Sequence, residues 1–272
     1  MDPKRHRLVQ RRGWDQAAYC YERYWSRQLR PAQDRLMTQA GLQPGEHVLD
    51  IACGTGLVTI AAADAVGSCG SITATDLSPR MVAEAATRAE NAGRPLAQAV
   101  ACGAEDLAVD GPFDVALCAL GLMYVPDKGR ALAEMIRVLK PGGRAVVSVW
   151  GRRGDCGWAE LFGIVERRVS SDVCPLFFDL GIPGVLNRQL ETAGFVDVDQ
   201  VRLAVTLDYE DDDEALGAAF LGGPVALAYA RFDAATRGSA HREYLDSIRP
   251  YRTAAGGYRV PGEFVIARGR RP

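Results

Sequence analysis

The sequence has no Cys-x-x-Cys pair, no long apolar run, only three histidines and almost no net charge. Each shortage excludes something. The seven cysteines are odd in number and stand singly; Cys118, for instance, lies inside the apolar run 115–120. They read as small core residues in a reducing compartment, not as a disulfide framework. No run approaches the ~18 apolar residues of a membrane span. The basic start (Lys4, Arg5, Arg7) is not followed by the apolar stretch of a secretory signal, so a soluble cytoplasmic protein is expected, with no membrane partner. With 32 Lys and Arg against 34 Asp and Glu, the formal charge is −2. That balance gives no electrostatic case for nucleic acid, and Arg11 and Arg12 extend the basic start without interleaved aromatics. No His, Asp and Glu cluster has metal-ligand spacing.

What is present is globular. Hydrophobic residues make up 48% and charged residues 24% of 272 positions, enough for one large domain or two small ones and too apolar for a disordered chain. Short apolar runs alternate with amphipathic stretches from about residue 45 to 150. Residues 47–52 (HVLDIA) read as a buried strand, followed by Gly54-Thr55-Gly56 and an alanine-rich helix to about Val66. A second strand at 71–75 ends at Asp76, and Ser78-Pro79 then supplies an N-cap and a first-turn proline for a helix to about Asn91. Residues 96–101, 113–118 and 144–150 read as further strands. Leu132, Met135, Ile136 and Leu139 make one helical face before Pro141-Gly142-Gly143. Strand–helix alternation at this spacing predicts an α/β fold with a parallel, doubly wound sheet.

After Trp150 the pattern changes. Residues 185–193 read as a helix closed by Gly194, 195–203 as a strand, 209–251 as mostly helical and 263–267 as a last strand. A helical insertion before the final strand is a natural lid.

The stretch 48–56 (VLDIACGTG) carries the chemistry. A strand turning through glycines into a helix lets a ligand approach the backbone and aims free N–H groups at it. Asp76, at the end of the next strand, can accept both hydroxyls of a ribose lying across the strand ends. The dinucleotide fingerprint needs a third glycine where this chain has Thr59, so a mononucleoside without a pyrophosphate fits better than NAD or FAD.

With VLDIACGTG followed in order by TDLSPRMV, GAEDL and RVLKPGGR, the chain resembles the class I S-adenosylmethionine-dependent methyltransferases, small-molecule branch, which includes the ubiquinone/menaquinone C-methyltransferases. The likeness is strong from about Trp14 to Trp150, and LETAGF at 190–195 resembles the step before the family's last two strands. It implies a Rossmann-like, seven-stranded, mostly parallel sheet. Its parts would be an N-terminal helical cap (1–45), a cofactor-binding core (46–203), a helical lid insertion (204–258) and a last core strand (259–272). It implies S-adenosyl-L-methionine as cofactor and a small, apolar or aromatic methyl acceptor, in a monomer or homodimer. By the same resemblance Asp50, Ala52, Gly54 and Gly56 line the turn under the methionine part, and Asp76 holds the ribose. Leu77 and Met81 lie against adenine, Ala104 and Glu105 along its edge, and Ala119 near the cofactor. Tyr21 and Trp25 are contacts from the helices closing over it. Two departures stand out: Ala52 replaces the usual first glycine, and Gly103 the usual aspartate that accepts the adenine amino group.

Other residues have plainer readings. Cys53 lacks a nearby histidine motif and reads as a packed thiol. His6 and His47 read as incidental, and His241 as a surface histidine whose rival role is general base. The acidic run 210–214 reads as a solvated helix start. Trp158, Phe177, Phe178, Tyr229 and Phe232 read as core, though their concentration in the lid segments hints at an apolar acceptor pocket. No catalytic residue is assigned. The rivals are a nicotinamide-dependent oxidoreductase and a non-catalytic cofactor-binding module.

Overall fold

The computed structural model describes residues 3–169, 177–223 and 225–272; Cys174 and the side chain of Lys4 lie outside what it describes. Seven strands form one sheet: β1 (His47–Ile51), β2 (Ser71–Asp76), β3 (Gln98–Ala101), β4 (Phe113–Ala119), β5 (Leu139–Trp150), β6 (Val196–Tyr209) and β7 (Tyr258–Arg270). Their order is β3-β2-β1-β4-β5-β7-β6. Pairing is parallel from β3 to β5, and β7 runs antiparallel to both its neighbours. The sheet is the seven-stranded, mostly parallel one expected.

Helices cover both faces, which is why the central strands are apolar throughout: Val48, Leu49, Val115, Leu117, Val146 and Val147 are all fully buried. The first helices are α2 (Leu57–Val66), α3 (Pro79–Asn91) and α4 (Lys128–Val138). Ser78 caps α3, its hydroxyl accepting from the Met81 N–H at 3.1 Å, with Pro79 at the first helical position. Leu139 continues the apolar face of α4 in sequence but opens β5 in space, buried against the same core.

Several sequence boundaries move: β5 opens at Leu139, ahead of the expected 144, and β3 at Gln98, after the expected 96. The strand expected to end at Leu203 runs on to Tyr209, and β7 begins at Tyr258, so residues 204–209 extend the sheet and the helical insertion starts later. The cause is physical. β6 is an edge strand with much of its length solvated, so Asp197, Asp199, Arg202 and Asp208 interrupt the apolar signal by which a buried strand is recognised. The insertion itself holds α7 (Asp212–Phe220), α8 (Ala226–Tyr229) and α9 (Ala234–Ile248); α5 (Glu160–Glu166) and α6 (Val185–Ala193) precede β6.

The N-terminal cap is one helix, α1 (Pro3–Ala40). Trp25, Leu29, Ala32, Leu36 and Ala40 form a buried stripe at helical spacing along its second half. Its first half crosses the C-terminal ends of β1, β2 and β4. The sheet's switch point lies there, between β1 and β4, where adjacent strands send their connections to opposite sides.

Candidate functional site

At the switch point β1 turns into α2 through residues that no ordinary side chain suits. Gly54 (φ 55°) and Gly56 (φ 89°) adopt left-handed backbone, as does Ala52 (φ 56°). Gly54 borders the cavity, and a Cβ there would meet nothing nearer than Tyr21 at 4.0 Å. Gly56 serves a different end. A Cβ on it would come 3.2 Å from Ala85 on α3, so it allows two helices to pack and lines no described cavity. Cys53 is buried in a small cluster with Ala74 and Ala85, and burial pushes its thiol well above the usual range, as befits a packed, unreactive group.

Asp76 sits at the end of β2 with both oxygens engaged by backbone. Gly54 N–H donates to Oδ2 at 3.0 Å and Ser78 N–H to Oδ1 at 2.8 Å. Each carboxylate oxygen keeps a further lone pair for a ligand hydroxyl. Burial pushes its pKa up to about 6 against the pull of those N–H groups. Asp50 is fully buried beneath the turn. Thr59 Oγ1 donates to its Oδ2 at 2.6 Å, while its Oδ1 has no partner. Burial first, and the nearby Asp76 charge second, push its pKa up to about 7. Thr59, the residue that broke the dinucleotide fingerprint, therefore anchors this carboxylate.

The space above these groups has three lobes that share Tyr21 and Leu120 in their walls. The main lobe, about 760 Å³ with its open mouth, is lined by Tyr21, Ala52, Gly54, Asp76, Leu77, Met81, Ala104, Glu105 and Ala119. A smaller lobe of about 320 Å³ reaches Asp50 past Tyr21, Ala52, Gly54 and Ala119. A third, about 430 Å³ with its open mouth, is lined by Tyr21, Leu120 and Tyr124 together with Trp14, Trp25, Trp150 and Trp158. Of the twelve residues singled out from sequence, ten thus border the first two lobes. Trp25 borders the third, and Gly56 acts through packing.

Several lining residues carried no sequence signal. Arg7 and Gln10 reach the main lobe from α1, beside Trp14, which opens the stretch that resembles the family's closing helices. Arg7 Nη1 donates to Glu105 Oε2 at 3.1 Å, and Asp127 N–H donates to Oε1 at 3.0 Å. Both Glu105 oxygens are already engaged, whereas Gly103 beside it opens the wall: a Cβ there meets nothing within 3.8 Å. Gly121 is the counterpart of Ala52, since a Cβ on it would lie 2.4 Å from the Ala52 methyl. A heptad pattern or motif cannot reveal such long-range fits.

His241 lines none of the lobes. Its Nε2 is 2.9 Å from the Tyr229 hydroxyl, within a ring cluster with Phe220 inside the insertion, and burial lowers its pKa. The acidic run does start a helix, with Asp211 accepting from the Glu214 N–H at 2.8 Å. It is less solvated than expected, because Glu214 also takes Arg27 of α1 at 2.9 Å. Trp158 and Phe177 line the third lobe, while Tyr229 and Phe232 pack on each other away from it. Among the described residues no metal-holding group occurs, and no helix is long and apolar enough to cross a membrane.

Residues 48–143 match the family model of the methyltransferase domain. Over 112 residues the chain is 43% identical to the ubiquinone/menaquinone biosynthesis C-methyltransferase UbiE of Burkholderia mallei, covering 41% of this chain and 46% of that one. The chain thus spans about half the length of the curated relatives it matches. In fold it is similar to phosphoethanolamine N-methyltransferase 2 of Haemonchus contortus, solved with phosphomonomethylethanolamine and S-adenosylhomocysteine (17% identity, 95% of this chain, 57% of that one, TM-score 0.60). It is also similar to the [4+2]-cyclase SpnF (23% identity, 89% and 80%, TM-score 0.55).

Proposed function

We propose that this chain, whose residues 48–143 are a methyltransferase domain, binds S-adenosyl-L-methionine in the first two lobes and methylates a small organic acceptor held in the third. The observation that carries the reading is the pair of carboxylates at the switch point. Asp76 is held with lone pairs free for two hydroxyls, and Asp50 is buried with one oxygen unpartnered. An orphaned, buried carboxylate oxygen suits a cationic or N–H-bearing ligand, and a cation there would offset the burial that raises its pKa. The residues fit the cofactor: Asp50 toward the methionine part, Asp76 on the ribose, Leu77 and Met81 against the base, and Tyr21 between the lobes.

When bound, the cofactor supplies an electrophilic methyl group on a sulfonium. The chain's task is then mainly alignment and exclusion of water. Tyr21 and Leu120 border all three lobes and so set the passage between donor and acceptor. α1 and the insertion act in this reading as the lid over that passage. No side chain is assigned as general base, since His241 is turned into its own cluster.

Calorimetric titration with S-adenosyl-L-methionine and its demethylated product, with NAD as control, tests the cofactor. Micromolar binding of the first two and none of the third is expected. Asp76→Asn should weaken both by about 1.5–3 kcal/mol, the loss of charged hydrogen bonds. Unchanged affinity in that variant removes the ribose assignment. Because a [4+2]-cyclase shares the fold, binding alone does not establish transfer, and a methylated product must be detected.

A further inference from the structure

Among the described residues three glycines line the main lobe, and the fold demands two of them. Gly54 holds left-handed backbone, and a Cβ on Gly121 would strike the Ala52 methyl. Gly103 has neither reason. Its φ lies outside the left-handed range, and a Cβ on it would meet only Leu77 Cδ1 at 3.9 Å and Glu105 Oε2 at 4.0 Å, ordinary contact distances. A side chain would fit there, so its absence shapes the wall of the lobe and serves no need of the backbone.

Behind that wall the molecule is open. A further cleft, about 1180 Å³ with its open mouth, shares Arg7, Leu77, Cys102, Gly103 and Glu105 with the main lobe and continues to Arg11 and Arg130. Of the five shared residues only Gly103 has no side chain, so the partition is thinnest at that point.

The order of strands places Gly103 relative to a bound nucleoside. With the ribose on Asp76 at the end of β2 and the methionine part toward Asp50 on β1, the base extends toward β3, the next strand out. Just past β3, the Cys102 N–H donates to the Asp76 carbonyl at 2.9 Å, which ties the 102–105 turn to the ribose site. Adenine is joined to ribose through its five-membered ring and carries its amino group on the six-membered one. The amino group is therefore the part that reaches the 103–105 wall. Glu105 there is already engaged by Arg7 at 3.1 Å and by the Asp127 N–H at 3.0 Å. A remaining lone pair on it serves one amino N–H at most, and the other must stay in water or forfeit a hydrogen bond. The gap at Gly103 keeps it in water.

We propose that Gly103 sets the chain's specificity at the base: it leaves one N–H position of the adenine amino group open through the wall, so that a cofactor carrying an added group on that nitrogen binds with the added group in the cleft between Arg7 and Arg130. This rests on the reading of the main lobe as the cofactor site. A singly substituted amino group keeps its other N–H for Glu105, and the contacts of Asp76 and Met81 are unchanged.

The test is calorimetric binding of S-adenosylhomocysteine, and of its derivative benzylated on the adenine amino nitrogen, to the full chain. On the wild type the two should bind within about tenfold of each other. Gly103→Asp fills the gap and adds an acceptor for the amino group. The parent should then bind several-fold more tightly and the benzyl derivative at least about tenfold more weakly, so the ratio between them widens. Gly103→Ala adds bulk alone and should widen the ratio by less; it carries the test where the aspartate variant does not fold. A variant that is merely less stable weakens both ligands and leaves their ratio alone. A ratio unchanged in both variants overturns the proposal. So does wild-type binding of the parent with the benzyl derivative weaker by much more than tenfold, and that outcome leaves the cofactor reading intact. Binding of neither nucleoside to the folded wild type overturns the cofactor reading and this inference together.

Discussion

At the residue scale the strained turn rests on a reciprocal fit. Ala52 holds left-handed backbone at φ 56°, a conformation that costs a residue with a Cβ roughly 1 kcal/mol or more. Its methyl is accommodated because residue 121 has no side chain. The two positions should therefore be coupled. Gly121→Ala alone should cost about 1–3 kcal/mol by overpacking, and less than half of that in an Ala52→Gly background, where the opposing methyl is gone. Cys118 Sγ, 3.1 Å from the same added Cβ, keeps the rescue partial. Denaturant unfolding of the four proteins measures the coupling, and equal costs in both backgrounds would refute it. The sequence marked Ala52 as a departure from the usual glycine. It could not show the compensation, which lies 69 positions along the chain and depends on how β4 ends beside β1.

At the element scale the two halves of α1 are held by different forces. The second half is anchored by its apolar stripe, whereas the first half is tied down by polar contacts spaced along it. Arg7 pairs with Glu105, Asp15 accepts from Ser78 Oγ at 2.5 Å, Glu22 pairs with Arg88, and Arg80 lies over the Tyr19 ring. Each tie has at least one partly exposed partner, though Glu105 and Ser78 are buried, and ties at a solvent boundary contribute little each and can be exchanged for water. The first half is thus the part of the helix that can lift without disturbing the core. Arg7→Ala should speed release of a bound cofactor several-fold with little change in melting temperature, which stopped-flow displacement would measure. A rate unchanged by the substitution would mean that the mouth opens elsewhere. Tyr21 could be picked out in α1 because it belongs to a motif-like stretch. Arg7 read only as part of a basic start, because its partner Glu105 becomes adjacent only once β3 and α1 meet over the sheet.

At the scale of the whole molecule, what was legible follows burial. The parallel core announced itself because strands covered on both faces must be apolar and their turns need glycine, so β1 to β5 and the Asp76 position were readable from residue order alone. The β6–β7 ladder and the aromatic chamber were only half readable, because edge strands alternate weakly and a ring wall assembled from α1, β5, α5 and the insertion has no local period. The core also carries a pH dependence that no sequence pattern states. Asp50 and Asp76, with folded pKa values near 7 and 6, keep their protons to higher pH than the unfolded chain, whose aspartates titrate near ~3.9. Between about pH 4 and 7 the folded state binds more protons, so their contribution to stability is full below that window and is lost as pH rises through it. Glu46, Asp114, Glu134 and Glu243, held below their usual range, act in the opposite sense and lose stability on acidification. Asp50→Asn isolates the buried group, since the amide oxygen can still accept from Thr59. The cofactor-free variant should melt several degrees above the wild type at pH 8, and the gap should narrow steadily as the pH falls toward 4. The same substitution should weaken cofactor binding, because it removes the charge that the orphaned oxygen offers. A melting difference that stays constant across that range would show that Asp50 titrates alike in the folded and the unfolded chain, with no raised pKa.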